Sequence, residues 1–229
     1  MTPAALITGA TGGIGRAIAD ILAPTHRLYL LGRNAEALAQ LAEGYPQAEV
    51  LEADLNSPAG AAGLDQEIER LDVLVHSAGV LRMGGVEQTV QADWEESFQV
   101  NVLAPVALTR ALLPALRTTG GHVFMINSGL GLRTIAGSGP YSASKFAMKA
   151  FADALRLEEA EHGVKVTSIH PGRVGTAMQA QLHAWENKEY DAEAWVRPEQ
   201  VAQTLLTALT LGDAANLDSI SINPAPRKP

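Results

Sequence analysis

The sequence contains no cysteine among its 229 residues. This absence excludes disulfide bonds, a thiolate nucleophile and every metal site that uses cysteine ligands. The six histidines are scattered along the chain, and no two of them have the spacing of metal ligands on one helix. The sequence therefore predicts no metal site.

Positive charge is also in short supply, because 17 lysines and arginines stand against 25 acidic residues, a formal net charge of -8. Without a basic excess or a basic run, the phosphate backbone of a nucleic acid is a disfavoured partner. No apolar run reaches the roughly 18 residues that a membrane-spanning helix needs, and no basic leader precedes an apolar stretch. We therefore expect a cytoplasmic protein with neither a nucleic-acid nor a membrane partner.

Short apolar runs alternate with longer amphipathic ones along the whole chain, which predicts alternating strands and helices. The strands are predicted near 4–8, 27–31, 48–52, 72–76, 121–127, 164–170 and 217–222. The helices are predicted near 13–23, 34–43, 57–69, 93–117, 141–162 and 198–211. This alternation is typical of an α/β fold with a doubly wound parallel sheet of seven strands and helices on both faces. We expect one domain over residues 1–229, with a frayed, proline-rich tail at 223–229.

A glycine-rich turn, Thr8-Gly9-Ala10-Thr11-Gly12-Gly13-Ile14-Gly15, joins the first predicted strand to the first helix. Glycines at 9, 13 and 15 permit a tight turn and a close approach of backbone to ligand. The free N–H groups and positive dipole end of the helix favour an anion such as a pyrophosphate. A plain strand-to-helix turn is the alternative, whereas a P-loop is excluded because no Gly-Lys-Ser/Thr triplet follows.

Tyr141 and Lys145 are four residues apart in a predicted helix, so their side chains share one face. A lysine in that place favours the phenolate, and we expect it to lower the pKa of Tyr141. Taken alone, the same spacing also describes an ordinary helix surface.

The Gly-x-x-x-Gly-x-Gly turn and the Tyr-x-x-x-Lys pair together resemble the short-chain dehydrogenase/reductase family, from about Ala4 to Ile222. The resemblance implies a Rossmann-type fold, a nicotinamide dinucleotide and a hydride transfer that interconverts a carbonyl with its alcohol. It also implies a homodimer or homotetramer, since the corresponding long helices pair across a two-fold axis in that family.

The resemblance assigns four catalytic positions. Tyr141 is the acid and base, Lys145 grips the cofactor ribose, Ser128 holds the substrate carbonyl, and Asn101 holds a water on a proton relay. Ser128 ends the fifth predicted strand, where doubly wound sheets bind ligands, although a strand-end serine is also a common turn residue. Asn101 is compatible with a structural role in its helix.

The resemblance places the cofactor on backbone and side chains from several motifs. The implied residues are Gly9, Thr11, Gly13, Ile14, Gly15, Arg33, Asp54, Leu55, Ala78, Gly79, Tyr141, Lys145, Pro171, Gly172, Val174 and Thr176. Asp54 is equally suited to cap a helix starting near Ser57. His76-Ser77 stands where the family usually has two asparagines, which puts side-chain support of the cofactor in question. His170 is interpreted as a strand-end residue rather than a base.

Arg33 decides between the two nicotinamide cofactors. An NAD-specific site presents an acid to the ribose 2′-hydroxyl at the end of the second strand, and here no acid is found in Leu31-Gly32-Arg33-Asn34. An arginine pairs well with a 2′-phosphate, so NADP is predicted over NAD, with a solvated arginine as the alternative.

The segment 175–195 is apolar and aromatic, in the place where such enzymes carry a mobile substrate lid. Met178 and Trp185, together with Leu130, are predicted to contact an apolar substrate, and Met83 and Leu132 are further candidates from position. The lid residues Met178, Leu182, Trp185, Tyr190 and Trp195 suit a substrate wall and packing against the core or a partner subunit equally well.

We therefore predict an NADP-dependent carbonyl reductase or alcohol dehydrogenase. A non-catalytic NADP-binding redox sensor is the alternative from another class. A nucleotide-sugar dehydratase or epimerase is a third interpretation, which the short chain after the seventh strand disfavours.

Overall fold

Seven parallel strands form one sheet in the order β3-β2-β1-β4-β5-β6-β7. The computed structural model describes residues 2–57, 59–60, 62–212 and 214–226, with the side chains of Asp65 and Glu67 left out. The strands are β1 Ala4–Thr8, β2 Arg27–Gly32, β3 Ala48–Glu52, β4 Val73–His76, β5 His122–Ile126, β6 Lys165–Pro171 and β7 Ser219–Ile222. The predicted doubly wound parallel sheet is therefore confirmed.

Helices connect the strands and cover both faces of the sheet. They are α1 Gly13–Leu22, α2 Ala35–Ala42, α3 Leu64–Glu67, α4 Gln91–Phe98, α5 Ala104–Arg117, α6 Gly139–Glu159, α7 Ala177–Trp185 and α8 Pro198–Leu209. One core lies between the sheet and α1, α2 and α8, and a second lies between the sheet and α3, α5 and α6. Both faces of β1, β4 and β5 are buried, which explains why these strands are almost continuously apolar.

The chain reverses its winding direction between β1 and β4. From β1 it moves outward to β2 and β3, and it then returns to place β4 on the other side of β1. The loops leaving the carboxyl ends of these strands diverge there, so a crevice opens at this point of the sheet.

The helix predicted at 57–69 is wrong over its first half. Helix α3 spans only Leu64–Glu67, and Gly63 before it has a φ of +83°, so the chain turns there and the helix begins only afterwards. The backbone at Gly60 folds back on Asp54, so closely that an added Cβ would lie 2.2 Å from the Asp54 carbonyl oxygen. Only glycine fits this turn, which takes the place of the predicted helix. Pro58 and Ala61, which fall in this prediction, lie outside the described residues.

The helix predicted at 93–117 is divided into α4 and α5 by a π-helical segment, Gln99–Leu103. Helix α6 begins with Gly139 and Pro140 as expected, since proline suits the first helical turn.

Helix α7 lies in the predicted lid, where no helix was expected. Asn223, the first residue of the predicted tail at 223–229, lies against the loop after β6. An added Cβ on Gly172 in that loop would lie 2.8 Å from Oδ1 of Asn223. Residues 227–229 lie outside the described residues.

The helical run Gln91–Arg117 is long and apolar enough, by length and composition, to cross a membrane. It is the only such run in the described part of the chain, and 56% of its most apolar window is buried inside the protein. A helix that packs in the core of a globular fold meets the same criteria, so this run does not indicate a membrane.

Candidate active site

Two adjoining cavities open at the carboxyl edge of the sheet. The first, of about 530 Å³, is lined by the glycine turn and by the ends of β2, β3 and β4. The second, of about 270 Å³, lies between the end of β5, the start of α6, the loop after β6 and α7. They share Ile14, Ser77, Gly79, Thr176 and Met178. A long ligand can therefore occupy the first cavity and extend one end into the second.

Every residue that the sequence assigned to the cofactor lines one of these cavities. The first contains Gly9, Thr11, Gly13, Ile14, Gly15, Arg33, Asp54, Leu55, Ala78, Gly79 and Thr176. The second contains Tyr141, Lys145, Pro171, Gly172 and Val174. The topology thus brings together residues from most of the length of the chain.

The glycine turn has no room for larger residues. Gly9 has a φ of +64°, and an added Cβ there would lie 2.8 Å from the Cα of Ala78. An added Cβ on Gly15 would lie 2.2 Å from the carbonyl oxygen of Gly9. Helix α1 begins at Gly13 with no side-chain cap and no acidic residue in its first turn, so its N–H groups remain available to an anion. This geometry fits a dinucleotide pyrophosphate.

Thr8 and His76 support the backbone beneath the junction of the two cavities. The hydroxyl Oγ1 of Thr8 accepts hydrogen bonds from the backbone N–H groups of Ser77 and Ala78, each at 3.0 Å. His76 is buried, and its Nε2 lies 2.8 Å from Oγ1 of Thr109. Burial lowers the pKa of His76 to about 3, so this ring is neutral at neutral pH. Threonine and histidine hydrogen bonds therefore tie down this strand end, where the family usually has two asparagines.

Arg33 is exposed and lines the first cavity, and its guanidinium makes no hydrogen bond or ion pair with any described residue. Its neighbour Asn34 is occupied as the cap of α2, with Oδ1 accepting from the N–H of Ala37 at 3.0 Å. Asp54 accepts a hydrogen bond from the N–H of Asn56 at 3.0 Å. The alternative that Asp54 caps a helix near Ser57 is wrong, because the next helix begins at Leu64.

Ser128, Tyr141 and Lys145 meet in the second cavity. Tyr141 is buried and hydrogen-bonded to Ser128, and Nζ of Lys145 lies 5.9 Å from the centre of its ring. The lysine is buried too, and Nζ donates a hydrogen bond to the carbonyl oxygen of Ile126 at 3.1 Å. One proton-carrying phenol thus lies between a hydroxyl and an ammonium group.

The expected lowering of the tyrosine pKa by Lys145 is wrong in direction. Burial raises the pKa of Tyr141, and its hydrogen bond with Ser128 offsets only part of that rise. Burial also lowers the pKa of Lys145 to about 8, because the ammonium loses solvation. The sequence shows the spacing of the pair but not the depth at which it is buried, and here desolvation outweighs attraction.

Asn101 lies in the π-helical segment behind the first cavity and is fully buried. Its Oδ1 accepts from the N–H of Val80 at 2.9 Å, and its Nδ2 donates to the carbonyl oxygen of Val80 and to Oγ of Ser144. An added Cβ on Gly79 would lie 3.2 Å from Oδ1 of Asn101 and 3.7 Å from Nζ of Lys145. Asn101 therefore ties the loop after β4 to α6, next to the lysine.

His170 serves the strand end, as expected. It is buried at the end of β6, and its Nδ1 lies 3.1 Å from the carbonyl oxygen of Ser128. Burial lowers the pKa of His170, which favours the neutral ring. Because a carbonyl oxygen only accepts, Nδ1 is the donor in this contact. Asn127, beside Ser128, donates from Nδ2 to the carbonyl oxygen of Lys145 at 3.1 Å, which joins β5 to α6.

The predicted substrate residues separate into two groups. Leu130 and Met178 line the second cavity, whereas Trp185 lines neither and packs on Gly137, where an added Cβ would lie 2.7 Å from its ring. Leu132 is exposed outside both cavities, and Met83 packs against a small cluster of Leu81, Tyr141 and Leu182.

The remaining lid aromatics pack on one another and on the loop after β6. The ring of His183 lies 5.4 Å from that of Tyr190 and 5.3 Å from that of Trp195. The guanidinium of Arg173 lies 5.1 Å from the centre of the Trp195 ring and forms an ion pair with Glu186. Packing, rather than lining a cavity, is therefore the role of Trp195 and Tyr190.

The sequence reasoning missed several residues that line the second cavity. They are Ser77, Leu81, Ile126, Asn127, Gly129, Arg133, Ile135, Arg173 and Gln179. Most lie in loops or on α7, where neither periodicity nor a motif marks them. Among the described residues, no group of three or more histidine or acidic side chains could hold a metal ion.

The chain matches the family model described as short chain dehydrogenase over residues 3–187. That match covers more than half of the chain, and the protein therefore belongs to the short-chain dehydrogenase/reductase family of oxidoreductases.

Curated relatives agree with this membership. Dehydrogenase/reductase SDR family member 7B of Bos taurus is 36% identical over 225 residues, which cover 89% of this chain and 69% of the relative. An uncharacterized oxidoreductase of Staphylococcus aureus is 32% identical over 228 residues, and 96% of each chain is covered.

Solved structures match almost the whole chain. An alcohol dehydrogenase from the archaeon Thermococcus sibiricus, complexed with 5-hydroxy-NADP, has a TM-score of 0.88 at 23% identity and covers 99% of this chain and 98% of its own, which shows the shared fold. The closed form of serine dehydrogenase complexed with NADP+ has a TM-score of 0.86 at 26% identity, with coverages of 96% and 94%. An actinorhodin polyketide ketoreductase with NADPH has the same TM-score at 27% identity, with coverages of 96% and 95%.

Proposed function

We propose that this protein is an NADP(H)-dependent oxidoreductase that interconverts a ketone or aldehyde with its alcohol. The observation that carries the proposal is the meeting of Ser128, Tyr141 and Lys145 in a cavity that adjoins a glycine-lined, anion-accepting cleft. A non-catalytic nucleotide sensor would have no need of this complete set of proton-handling groups.

The cofactor would lie across both cavities. Its pyrophosphate would rest on the N-terminus of α1, and its ribose and nicotinamide would contact Lys145 and the loop Pro171–Thr176. The cofactor supplies the hydride. Thr176 caps α7 through Oγ1, which accepts from the N–H of Gln179 at 3.4 Å, so a nicotinamide contact there would also bear on the lid.

Arg33 supports NADP over NAD, because it presents an unpaired guanidinium in the first cavity where a 2′-phosphate would lie. The serine dehydrogenase and polyketide ketoreductase neighbours carry NADP+ and NADPH in their structures, which agrees with this preference.

In reduction, Tyr141 would donate its phenolic proton to the developing alkoxide while Ser128 donates a hydrogen bond to the same oxygen. A raised pKa suits this direction, because the buried phenol retains its proton at neutral pH. Lys145, which lies in the same cavity, would hold the ribose and favour the phenolate once the proton has left. Asn101 would extend the proton path toward solvent behind Lys145.

The substrate would be mainly apolar where it meets the catalytic groups. Leu81, Leu130, Ile135, Met178 and Leu182 line the second cavity around Tyr141. Burial of such side chains against a ligand stabilises binding by about 25 cal/mol per Å² of apolar surface removed from water.

We also propose a cytoplasmic homodimer or homotetramer. Leu103 and Phe146 are 54% and 44% exposed on the π-helical segment and on α6, and Leu157 on α6 is 81% exposed. Apolar side chains exposed on two neighbouring helices favour burial against a second copy. Light scattering of the purified protein measures the assembly.

Replacing the phenol hydroxyl tests the proposed reaction. We expect Tyr141→Phe to reduce kcat for NADPH-dependent reduction of a panel of aliphatic and aromatic ketones and aldehydes by at least about a hundredfold, since general acid catalysis is worth that much. Cofactor affinity should change little, because the ring and Lys145 remain.

Tyr45→Phe is the matched control, because Tyr45 also donates a hydrogen bond, to Asp20, but lies outside both cavities. Turnover that survives in Tyr141→Phe would contradict the mechanism. NADPH binding by the unaltered protein with no turnover of any panel member would favour the sensor.

A further inference from the structure

The second cavity is charged with one sign only. Its lining includes the cations Arg133, Lys145 and Arg173, and no aspartate or glutamate occurs among the described residues that line it. This is unexpected in a protein of net charge -8. Glu186 offsets the charge of Arg173, so Arg133 and Lys145 are the cations whose attraction for a negative group is left unbalanced by a carboxylate in the lining.

Two of these cations are already engaged. Nζ of Lys145 is buried at the catalytic tyrosine and donates to the carbonyl oxygen of Ile126. Arg173 forms two hydrogen bonds with the carboxylate of Glu186 and stacks on Trp195. Only Arg133 remains open, because its guanidinium makes no ion pair or hydrogen bond with any residue that the structure describes.

The backbone that carries Arg133 is fixed relative to the catalytic serine. The N–H of Leu130 donates to Oγ of Ser128 at 3.1 Å, the N–H of Gly131 donates to the Ser128 carbonyl at 2.9 Å, and the N–H of Arg133 donates to the Gly129 carbonyl at 3.3 Å. The exposed side chain of Arg133 therefore starts from a tight turn anchored at Ser128 and lines the same cavity as Ser128 and Tyr141.

We propose that Arg133 binds an anionic group of the substrate, so that the protein acts on carbonyl compounds with an apolar body and a terminal carboxylate or phosphate. The carbonyl part of this inference rests on the proposed function, whereas the anion part rests on Arg133 alone. The apolar body contacts Leu81, Leu130 and Leu182, and the anion pairs with the planar guanidinium at the open end of the cavity, where both of its oxygens can be contacted.

Binding of unreactive ligands tests the anion site without any turnover. The probes are octanoate, octyl phosphate and the neutral methyl octanoate, titrated by calorimetry into the full chain with and without NADP+. We expect at least one of the two anions to bind about tenfold more tightly than the ester, which corresponds to about 1.4 kcal/mol. The two anions identify whether carboxylate or phosphate is preferred.

Variants at Arg133 assign any preference to this residue. Arg133→Gln should abolish the anion-over-ester preference, and Arg133→Lys should retain part of it, since a point charge replaces a planar fork. Arg110→Gln is the matched control, because Arg110 is an exposed arginine on α5 outside both cavities, and it should leave the preference unchanged.

Turnover provides the second measurement. The ratio of kcat/KM for straight-chain oxo-carboxylates or oxo-phosphonates over their methyl esters should exceed about ten and should collapse in Arg133→Gln. Equal binding of anions and ester, no binding of any probe, or a preference that survives in Arg133→Gln would overturn the inference. Reduction of neutral ketones with no preference for anions would overturn the anion inference and leave the proposed function standing. Arg133-dependent binding of anions with no turnover of any substrate would support the anion inference and contradict the proposed function.

Discussion

At the scale of the residue, burial determines the protonation of the catalytic pair. Tyr141 and Lys145 are each less than a tenth exposed, and desolvation favours the neutral form of both side chains. It therefore raises the pKa of Tyr141 and lowers the pKa of Lys145. A neutral phenol is prepared to give up a proton, and a lysine with a pKa of about 8 can exchange one near neutrality. Under the proposed mechanism, these protonation states suit proton transfer in the direction of carbonyl reduction.

The proposed preference for NADP over NAD depends on Arg33. We expect Arg33→Asp to weaken NADPH binding by about 10- to 100-fold, because a charge-assisted hydrogen bond of about 1.5–3 kcal/mol is replaced by repulsion. NADH binding should improve or stay unchanged, since the new carboxylate can accept from the ribose 2′-hydroxyl.

Fluorescence titration with both nucleotides measures this change. Arg110→Asp introduces the same charge change outside both cavities and should leave both affinities as they are. An unchanged ratio of NADPH to NADH affinity in Arg33→Asp would contradict the assignment.

Single residues were predictable from sequence where a motif fixed them. Gly9, Gly15, Ser128, Tyr141 and Lys145 all line the two cavities, because their spacing is tied to strand ends and to one helix face. Arg133 was not predictable, since its place depends on a turn after β5 that has no recurrent spacing. Trp185 was expected at the substrate and instead packs on Gly137, because an aromatic residue in a lid satisfies either environment.

At the scale of the element, an ion pair joins the end of α7, in the segment predicted to be a lid, to the loop after β6. Arg173, in the loop after β6, donates two hydrogen bonds to Glu186 at the end of α7, and Nζ of Lys188 lies 3.3 Å from the same carboxylate. The Arg173 guanidinium holds the pKa of Glu186 below its ordinary value, so this carboxylate is charged at neutral pH. The lid is therefore fastened beside the second cavity.

Loosening that ion pair should loosen the lid. We expect Glu186→Gln to speed hydrogen exchange of the backbone amides in 177–186 by about tenfold, because a partly buried arginine loses its charged partner at a cost of about 1–3 kcal/mol. Exchange followed by mass spectrometry measures this. Glu193→Gln, in the same segment but without a described side-chain ion pair, is the control, and equal exchange rates in the two variants would contradict a fastening role.

Elements were predicted best where periodicity was strong. All seven strands were located within about two residues, because parallel strands buried on both faces are short, apolar and bounded by turns. The π-helical segment at Asn101 was not visible, since its extra backbone residue per turn leaves the apolar pattern of α4 and α5 nearly intact. Helix α7 was missed because tertiary packing, rather than a clear apolar stripe, stabilises it.

At the scale of the whole molecule, buried histidines make stability depend on pH, and His76 and His122 have the most strongly lowered pKa values among those described; burial also lowers the pKa values of His26 and His170. Burial lowers the pKa of His76 and of His122 from 6.5 to about 3. In the unfolded chain both rings take up protons as the pH falls below 6.5, whereas the folded protein keeps them neutral down to about 3. The unfolded state then binds more protons, so acidification through this window reduces the free energy of unfolding.

We expect His76 and His122 alone to lower that free energy by about 3 kcal/mol between about pH 6.5 and about pH 5, since each ring contributes up to about 1.4 kcal/mol per pH unit below its unfolded pKa. Urea unfolding at several pH values measures it. The carboxyls of Glu159 and Glu186, whose pKa values are lowered from 4.5 by arginine hydrogen bonds, add to the loss only at lower pH.

Variants separate the two rings. His76→Gln or His122→Gln should each reduce the slope by up to about 1.4 kcal/mol per pH unit, and either one carries the test if the other fails to fold. His162→Gln removes a ring that is 38% exposed and is the control for loss of an imidazole as such. A slope that is unchanged in both buried variants would contradict the account.

The overall topology was predictable because strand–helix alternation with right-handed crossovers leaves few arrangements for a sheet of this size. What the sequence could not supply is the division of the cleft into two cavities and the charge inside the smaller one. Both depend on how the loops after β5 and β6 meet α6 and α7, which are far apart in the sequence from the glycine turn.

Transfer of deuterium from labelled NADPH tests the central claim most directly. The cofactor carries deuterium in turn on each face of the nicotinamide C4, and the product alcohol of a ketone accepted by the enzyme is analysed by mass spectrometry. The account predicts one deuterium on the carbinol carbon from one face only, since a fixed cavity presents one ring face to the carbonyl. Product without deuterium from either face, or with deuterium from both equally, would contradict it.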